Sequence, residues 1–351
     1  MNWNDLSRYR APLMGFAMII VMLFHVPLSR SDAFYGLMRC GNNGVDMFLF
    51  LSGIGLWFSW TKNNRLRSFY YRRFLRLYPA WLIVASLYYI PQYWPHGGGY
   101  SPNLFHLIAN ILVGWSFWRI DDLTFWFVPA IMVLYLIAPF YMMLIQRNRV
   151  WRWLPVLTMV WYFLVRDWPP LWTSVGHVEI FWSRIPIFLL GINAGELVKG
   201  KTHPQPLPKG EKSESCMTSR LASLWEGLGV GCGVGIGLLY CIYIEGHRHG
   251  AFPPATERMV YIPLAVCGMF LMCRFFRHAP SWILRAFTFI GGISLEIYLV
   301  HIQFVLVYIK PYHLGYWPTF LLLLAFSIPM AWLLSKLVGL IVKKLFPPTC
   351  P

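Results

Sequence analysis

The feature that most constrains the fold of this chain is a series of long apolar runs. A helix needs about 20 apolar residues to cross a bilayer, and about ten runs approach that length. Of the 351 residues, 57% are hydrophobic and only 13% are charged, whereas soluble domains carry about 25% charged residues. We therefore predict an all-α membrane protein, a polytopic helical bundle with about ten transmembrane helices. The runs lie near residues 11–28, 44–61, 74–93, 124–145, 152–166, 182–198, 222–244, 257–276, 284–309 and 316–342.

The basic residues indicate on which side of the membrane each loop lies. When the runs are taken as spans, 22 of the 30 lysines and arginines fall on the side of the N-terminus. An excess of basic residues in short loops marks the cytoplasmic side. Both termini are therefore predicted to be cytoplasmic, in a chain embedded in membrane lipid. The same distribution explains the net charge of +16 and argues against a nucleic-acid partner.

The chain is predicted to form a single membrane-embedded domain over residues 1–351. Residues 200–220 hold three prolines and charges of both signs, which predicts a flexible cytoplasmic linker between spans six and seven. The apolar segment 103–118 is short and is interpreted as an interfacial or re-entrant helix. The first run has no small-residue cleavage site after it, so it is interpreted as a retained span and not as a signal peptide.

The stretch from Pro12 to Pro79 carries the most informative polar residues. Its first apolar run ends near His25, and its second begins near Asp46. Two antiparallel spans joined by a loop bring these ends to a similar depth, on the outer side of the membrane. A neutral imidazole there can act as a general base on a hydroxyl, whereas the alternative is a histidine that only contacts lipid headgroups.

Asp46 has two interpretations. A carboxylate beside a histidine can fix its tautomer and stabilise its imidazolium, as in hydrolytic triads. An acidic residue in the first turn of a helix is also favoured by the helix dipole and the unpaired N–H groups there. The sequence supports both, and we predict His25 and Asp46 as the catalytic pair.

Three arginines follow the second run, at its cytoplasmic end. Arg73 and Arg76 are three residues apart and share a helix face, and Arg72 precedes them. Guanidinium groups bind phosphates well, so these residues are predicted to form an anion site. The alternative is ordinary basic charge on the cytoplasmic side.

Later residues extend the candidate site, because an ionisable residue inside a span is costly unless it has a function or a partner. The alternative for Arg184 is snorkelling to the interface, and the alternative for Ser52, beside Gly53, is close helix packing. No metal-ligand spacing or nucleotide fingerprint is convincing. The predicted substrate-binding residues are Ser52, Arg184, Glu296, Tyr298 and His301.

These residues occur in an order that resembles acyltransferase family 3, the integral membrane O-acyltransferases of bacterial surface glycans. The matching segments, which cover nearly the whole chain, are Phe24-His25, Gly44-Val45-Asp46-Met47-Phe48, Leu51-Ser52-Gly53, Arg73-Phe74-Leu75-Arg76-Leu77-Tyr78-Pro79, Trp126 to Tyr135, Arg184 to Gly191, and Ser294-Leu295-Glu296-Ile297-Tyr298-Leu299-Val300-His301.

The resemblance implies transfer of an acyl group, commonly acetyl, from cytoplasmic acyl-CoA to a hydroxyl of an extracytoplasmic or lipid-linked carbohydrate. It implies that His25 is the catalytic histidine and that Arg73 and Arg76 are the paired arginines associated with the donor. It also implies location in the bacterial inner membrane. The family usually has a basic residue three turns before the histidine; this chain has Met14 there, and Arg10, one turn earlier, is the candidate substitute.

A different class of function fits the same pattern of buried polar residues. Such residues also mark the paths of secondary transporters, so an exporter of a sugar or lipid precursor is the alternative. A transporter would not need acyl-CoA, whereas the acyltransferase requires it as a co-substrate and requires no metal.

Overall fold

The computed structural model of the chain describes residues 3–94, 100–120, 122–198, 235–247 and 254–346. Across these ranges all regular structure is helical and no β-strand occurs, which confirms the all-α prediction for the described part of the chain. The predicted linker at 200–220 and the first half of the predicted span 222–244 lie outside the described residues.

The described part of the chain consists of α-helices with a few short turns of 3₁₀- and π-helix between them. We number them in chain order: α1 Trp3–Arg8, α2 Arg10–His25, α3 Tyr35–Arg39, α4 Asn43–Lys62, α5 Leu66–Tyr93, α6 Leu104–Val113, α7 Trp115–Ile120, α8 Phe127–Arg147, α9 Leu154–Asp167, α10 Pro169–Val175, α11 Glu179–Trp182, α12 Ile185–Leu197, α13 235–247, α14 Pro254–His278, α15 Ser281–Gly292, α16 Ser294–Val300, α17 Val307–Ile309 and α18 Tyr316–Leu345.

Four helical segments of the described chain are long and apolar enough to cross a membrane: Tyr35–Lys62, Phe127–Arg147, Met259–His278 and Tyr316–Leu345. Two bent pairs raise the number to six if each is one span. The chain therefore has the apolar helices of an integral membrane protein, but the predicted number of about ten spans is not confirmed. Other predicted spans are short helices, such as α9, or contain many polar and aromatic residues, such as α5.

Two predicted spans differ from straight helices. The predicted span 284–309 is broken after α15, where the chain bends by 62° between Gly292 and Ser294. The predicted span 182–198 is bent by 40° before α12. Periodicity and apolar length cannot show such breaks, because the apolar composition continues through them.

The contacts between residues divide the chain into two compact units. That these units together form the single predicted domain stays a prediction. The first unit comprises Met1–Phe24, Leu28–Phe58 and Ile187–Gly292. The second comprises His25–Pro27, Ser59–Pro186 and Ile293–Pro351.

In the first unit, glycines allow helices to approach each other closely. A Cβ atom on Gly53 would lie 2.6 Å from the carbonyl oxygen of Phe188, and one on Gly191 would lie 2.3 Å from that of Phe50. The backbones of α4 and α12 therefore touch at this point, as small residues permit in membrane helices. Ser52, next to Gly53, lies at this close helix contact and is half-buried.

The first unit also holds a buried polar group. Arg39 lies 3.5 Å from the Glu245 carboxylate, which also accepts the Tyr261 hydroxyl hydrogen. The side chain of Asn43 donates to the Tyr261 carbonyl at 3.0 Å. Paired in this way, the buried Glu245 carboxylate avoids most of the cost of removing a charge from water, and it joins α3 to α13 and α14.

The second unit is organised around α5, which packs against α6, α8, α16 and α18. The segment predicted to be interfacial or re-entrant forms α6 and α7, separated at Gly114 with a φ of 61°. A side chain at Gly114 would require an unfavourable backbone conformation, and its Cβ would lie 3.0 Å from Pro129. The chain therefore turns sharply between the two short helices.

Candidate functional site

The second unit brings together two histidines that are 276 residues apart in the chain. The Nε2 atom of His301 lies 3.3 Å from the Nδ1 atom of His25, within hydrogen-bond distance. The ring centres are 5.0 Å apart and the rings are inclined by 68°. His301 is fully buried, with an exposed fraction of 0%.

A change of helix type positions His301. The helix α16 ends at Val300, and residues His301–Leu306 form a turn of π-helix. The Nδ1 atom of His301 lies 2.9 Å from the carbonyl oxygen of Tyr298 and 3.1 Å from that of Ile297. Wide π-helical turns are rare and occur frequently at functional sites. The turn holds one edge of the imidazole against the backbone and leaves the other edge for His25.

Tyr298 lies in α16, three residues before His301, and its ring lies near that of the histidine. Its hydroxyl oxygen accepts a hydrogen bond from the backbone N–H of Phe127 at 3.1 Å, and its ring centre is 5.9 Å from that of His301. Tyr298 therefore connects α16 to the start of α8.

Glu296 is a buried carboxylate on α16, with an exposed fraction of 3%. Its Oε2 atom has no hydrogen-bond partner among the described residues. The positive charge of Arg76 interacts with it electrostatically. A buried carboxylate with an unsatisfied oxygen costs free energy, and the role of Glu296 in substrate binding stays a prediction.

The three predicted anion-binding arginines differ in their surroundings. Arg72 donates hydrogen bonds to the Ser68 hydroxyl and, at 3.3 Å, to the Ser59 carbonyl. It therefore stabilises the turn between α4 and α5. Arg73 is half-buried between aromatic rings, and its Nε–H has no hydrogen-bond partner among the described residues. Arg76 is exposed.

The Arg184 side chain does not reach the surface, since its exposed fraction is 1%. Its guanidinium carbon lies 4.8 Å from the centre of the Trp126 ring, which is a cation–π contact. One of its terminal nitrogens donates to the Ile180 carbonyl at 3.3 Å. Snorkelling to the interface therefore does not describe this arginine.

A polar cluster that the sequence analysis did not identify lies beside this site. The Asp122 carboxylate accepts hydrogen bonds from the Ser116 hydroxyl at 2.8 Å and from the Thr124 N–H at 3.0 Å. Asn110 accepts from the Ser116 N–H at 2.7 Å. The sequence feature that could have indicated this cluster is the position of Asp122 two residues before Thr124. This spacing is typical of turns in which an Asp side chain accepts a hydrogen bond from the backbone two residues later.

Two predicted site residues belong to the first unit. Asp46 lies in the first turn of α4 and is buried, with an exposed fraction of 3%, and Ser52 lies two turns later. Their roles as a catalytic partner and as a substrate contact stay predictions. The second unit holds the other eight: His25, Arg72, Arg73, Arg76, Arg184, Glu296, Tyr298 and His301.

Within the ranges that the structure describes, no group of three or more His, Cys, Asp or Glu residues is arranged to hold a metal ion. A family model described as an acyltransferase domain, acyltransferase family 3, matches residues 13–336. A search of curated proteins and a search of solved structures each gave no significant match.

Proposed function

Because the chain belongs to acyltransferase family 3 and is thus an acyltransferase, we propose that it transfers an acetyl group from cytoplasmic acetyl-CoA to a carbohydrate hydroxyl. The acceptor is an extracytoplasmic or lipid-linked glycan. The protein acts in the bacterial inner membrane, with both termini in the cytoplasm. Membrane insertion is supported by the apolar helices, and the orientation is supported by the distribution of basic residues.

The observation that carries the proposal is the hydrogen-bonded pair of His25 and His301. A sugar hydroxyl is a poor nucleophile at neutral pH, so a base must accept its proton during attack on the thioester. A histidine held by a second group suits this task. The pair lies in the same unit as Arg76, Glu296 and Arg184, which supplies charged groups for both substrates.

In the proposed reaction, His25 accepts the proton of the acceptor hydroxyl while the hydroxyl oxygen forms a bond to the carbonyl carbon of the thioester. The carbon–sulfur bond then breaks, and the CoA thiolate receives the proton from the His25 imidazolium. An ester and free CoA are the products, and His25 returns to its neutral form. In the covalent variant, His25 first takes the acyl group and then transfers it to the hydroxyl.

The donor is proposed to bind through Arg73 and Arg76. Phosphate oxygens accept hydrogen bonds from guanidinium groups, and the Arg73 Nε–H has no partner among the described residues. Arg72 contributes its charge, although its guanidinium bonds to the turn before α5. The electrostatic interaction between Arg76 and Glu296 connects this proposed site to α16, the helix that ends immediately before His301.

The acceptor is proposed to bind near Arg184, Tyr298 and Trp126. The indole of Trp126 and the guanidinium of the buried Arg184 contact each other. An aromatic ring can pack against a sugar ring, and polar groups beside it can hydrogen-bond to the sugar hydroxyls. Glu296 is a further candidate for a contact with substrate, and the role of Ser52 as a substrate contact stays a prediction. The unsatisfied Oε2 atom of Glu296 accepts a hydrogen bond from an amide of the pantetheine arm or from a sugar hydroxyl.

The test uses the purified full-length protein in lipid bilayers, with acetyl-CoA radiolabelled in its acetyl group and a glycan extract of the source cells. We expect release of CoA thiol and base-labile label in the glycan, and neither with His25→Ala. Succinyl-CoA in parallel tests the choice of acyl group. Bound acetyl-CoA without any transfer of label would overturn the proposal, and export of unmodified sugar would favour the transporter.

A further inference from the structure

The hydrogen-bond partners of His301 determine where the hydrogen atoms on the two histidines lie. A backbone carbonyl only accepts hydrogen bonds. Because Nδ1 of His301 lies against the carbonyl oxygens of Tyr298 and Ile297, that nitrogen carries a hydrogen. Burial of an uncompensated charge is costly, so neutral His301 is the relevant form. Its Nε2 atom then has a lone pair and accepts a hydrogen bond.

Because Nε2 of His301 accepts the hydrogen bond between the two rings, His25 must donate it. Nε2 of His301 faces Nδ1 of His25 at 3.3 Å, so Nδ1 of His25 must carry the hydrogen of this bond. In a neutral imidazole only one nitrogen is protonated. The lone pair of His25 therefore lies on Nε2, the nitrogen that does not face His301.

Resting on the proposed function, we infer that His301 is a positioning residue: it holds His25 in the tautomer protonated at Nδ1 and aims its basic Nε2 at the acceptor hydroxyl. A second group commonly fixes the tautomer and orientation of a functional histidine in this way. Here the group is a neutral imidazole whose own hydrogen is fixed by the backbone of α16.

This inference replaces substrate binding as the role of His301. Both of its ring nitrogens are engaged, one with the backbone and one with His25. No polar atom of the ring is left for a substrate, and the side chain is fully buried. Its contacts also restrain its rotation, because the neighbouring Tyr298 is itself held by the Phe127 N–H.

The first experiment reads the tautomer directly and needs no substrate. Full-length protein with ¹⁵N-labelled histidine is studied by nuclear magnetic resonance in lipid bilayers, and the His25 signals are identified by their loss in His25→Gln. We expect His25 to carry its hydrogen on Nδ1 in the parent protein. In His301→Phe, which keeps a ring but has no acceptor, we expect a shift of the hydrogen to Nε2. A parent protein with the hydrogen on Nε2 would overturn the inference.

The second experiment measures kinetics with three variants. His301→Phe is expected to lower kcat by about 10–100-fold, the usual effect of losing such a supporting partner, with the KM for acetyl-CoA unchanged. In His301→Gln the amide oxygen can accept the His25 hydrogen, so it is expected to recover most of kcat. His106→Gln changes a half-buried histidine in the first turn of α6, whose ring contacts the Asn103 side chain, and is the control.

The two experiments separate this inference from the proposed function. The positioning role would be overturned if His301→Phe had the same kcat as the parent. It would also be overturned if His301→Phe and His301→Gln lost the same factor in kcat while both kept the thermal stability of the parent. If the tautomer behaves as expected but no variant, including the parent, transfers acetyl groups, the positioning stands and the proposed acetyl transfer fails.

Discussion

The guanidinium carbon of Arg73 lies 5.9 Å from the centre of the Tyr135 ring. The Phe69 ring lies on it as well, at 5.6 Å, so aromatic rings of α5 and α8 hold this arginine by cation–π contacts. Its orientation is thereby fixed before any anion binds. A fixed guanidinium loses less conformational freedom on binding than a mobile one, which favours a specific site over general basic charge.

The first prediction concerns Arg73 and Arg76. Replacing both by Gln removes two charges that are proposed to bind phosphate and is expected to weaken acetyl-CoA binding by at least about 10-fold, since each charged hydrogen bond contributes about 1.5–3 kcal/mol. Binding is measured by calorimetry at two salt concentrations, and the loss should be larger at low salt. Arg67→Gln, which removes an exposed charge from the same helix, should bind normally. If the folded double variant bound acetyl-CoA with unchanged affinity, the two arginines would be ordinary basic residues on the cytoplasmic side and not a binding site.

The second prediction concerns His25. His25→Ala removes the proposed base and is expected to lower the rate of transfer by about 10²–10⁴-fold while acetyl-CoA still binds, because the donor's phosphates are proposed to contact the arginines. Rate and binding are measured on the same preparation. A rate close to that of the parent would remove the central residue of the proposed mechanism.

The third prediction concerns Asp46, in the first turn of α4. If it only adds orientation or charge stabilisation, Asp46→Asn should lower kcat less than His25→Ala does. If it only favours the start of the helix, the same change should lower thermal stability and leave kcat intact. Measuring both quantities distinguishes the two interpretations that the sequence left open.

The fourth prediction concerns orientation in the membrane. The excess of basic residues on one side implies that a reporter enzyme fused after Lys212 is active in the cytoplasm. A reporter inserted between Pro95 and Tyr100 should be active outside. The opposite result would place the arginines outside and His25 towards the cytoplasm, which would contradict binding of a cytoplasmic donor by the arginines.

The fifth prediction concerns two adjacent glycines at the end of α15. A Cβ atom on Gly291 would lie 1.9 Å from the Ala11 carbonyl oxygen, whereas one on Gly292 would meet nothing within 4 Å. Gly291→Ala is therefore expected to destabilise the first unit by about 1–3 kcal/mol, and Gly292→Ala serves as the matched control. Thermal unfolding in detergent compares them, and equal stabilities would contradict the close approach of α2 and α15.

The sequence could indicate the all-α fold class and several candidate site residues because both depend on local patterns. The apolar run before His25 and the basic cluster from Arg72 to Arg76 need only composition and spacing. The contact between His25 and His301 depends on packing across 276 positions, which no local pattern contains. For the same reason the sequence could not show that Arg72 bonds to its own turn or that Arg184 is buried.

The helix breaks were hidden for a different reason. The chain from Ser281 to Tyr312 has the composition of one long apolar helix, and the bend between Gly292 and Ser294 interrupts it without a proline. Hydropathy measures transfer between water and lipid, and it does not respond to backbone direction. Asp122 was overlooked because its carboxylate acts through short-range turn contacts instead of a recognised motif.

The π-helical turn at His301–Leu306 has a consequence for insertions and deletions. Such a turn contains one residue more than an α-helical turn, so it is equivalent to a single-residue insertion in a regular helix. Deleting one residue between Ile302 and Leu306 would allow an ordinary α-helix to continue from α16. Everything after the deletion, beginning with α17, would rotate by about 100° about the helix axis relative to α16. The helical positions before and after this turn are therefore offset by one residue, and the offset begins at the residue whose imidazole contacts His25.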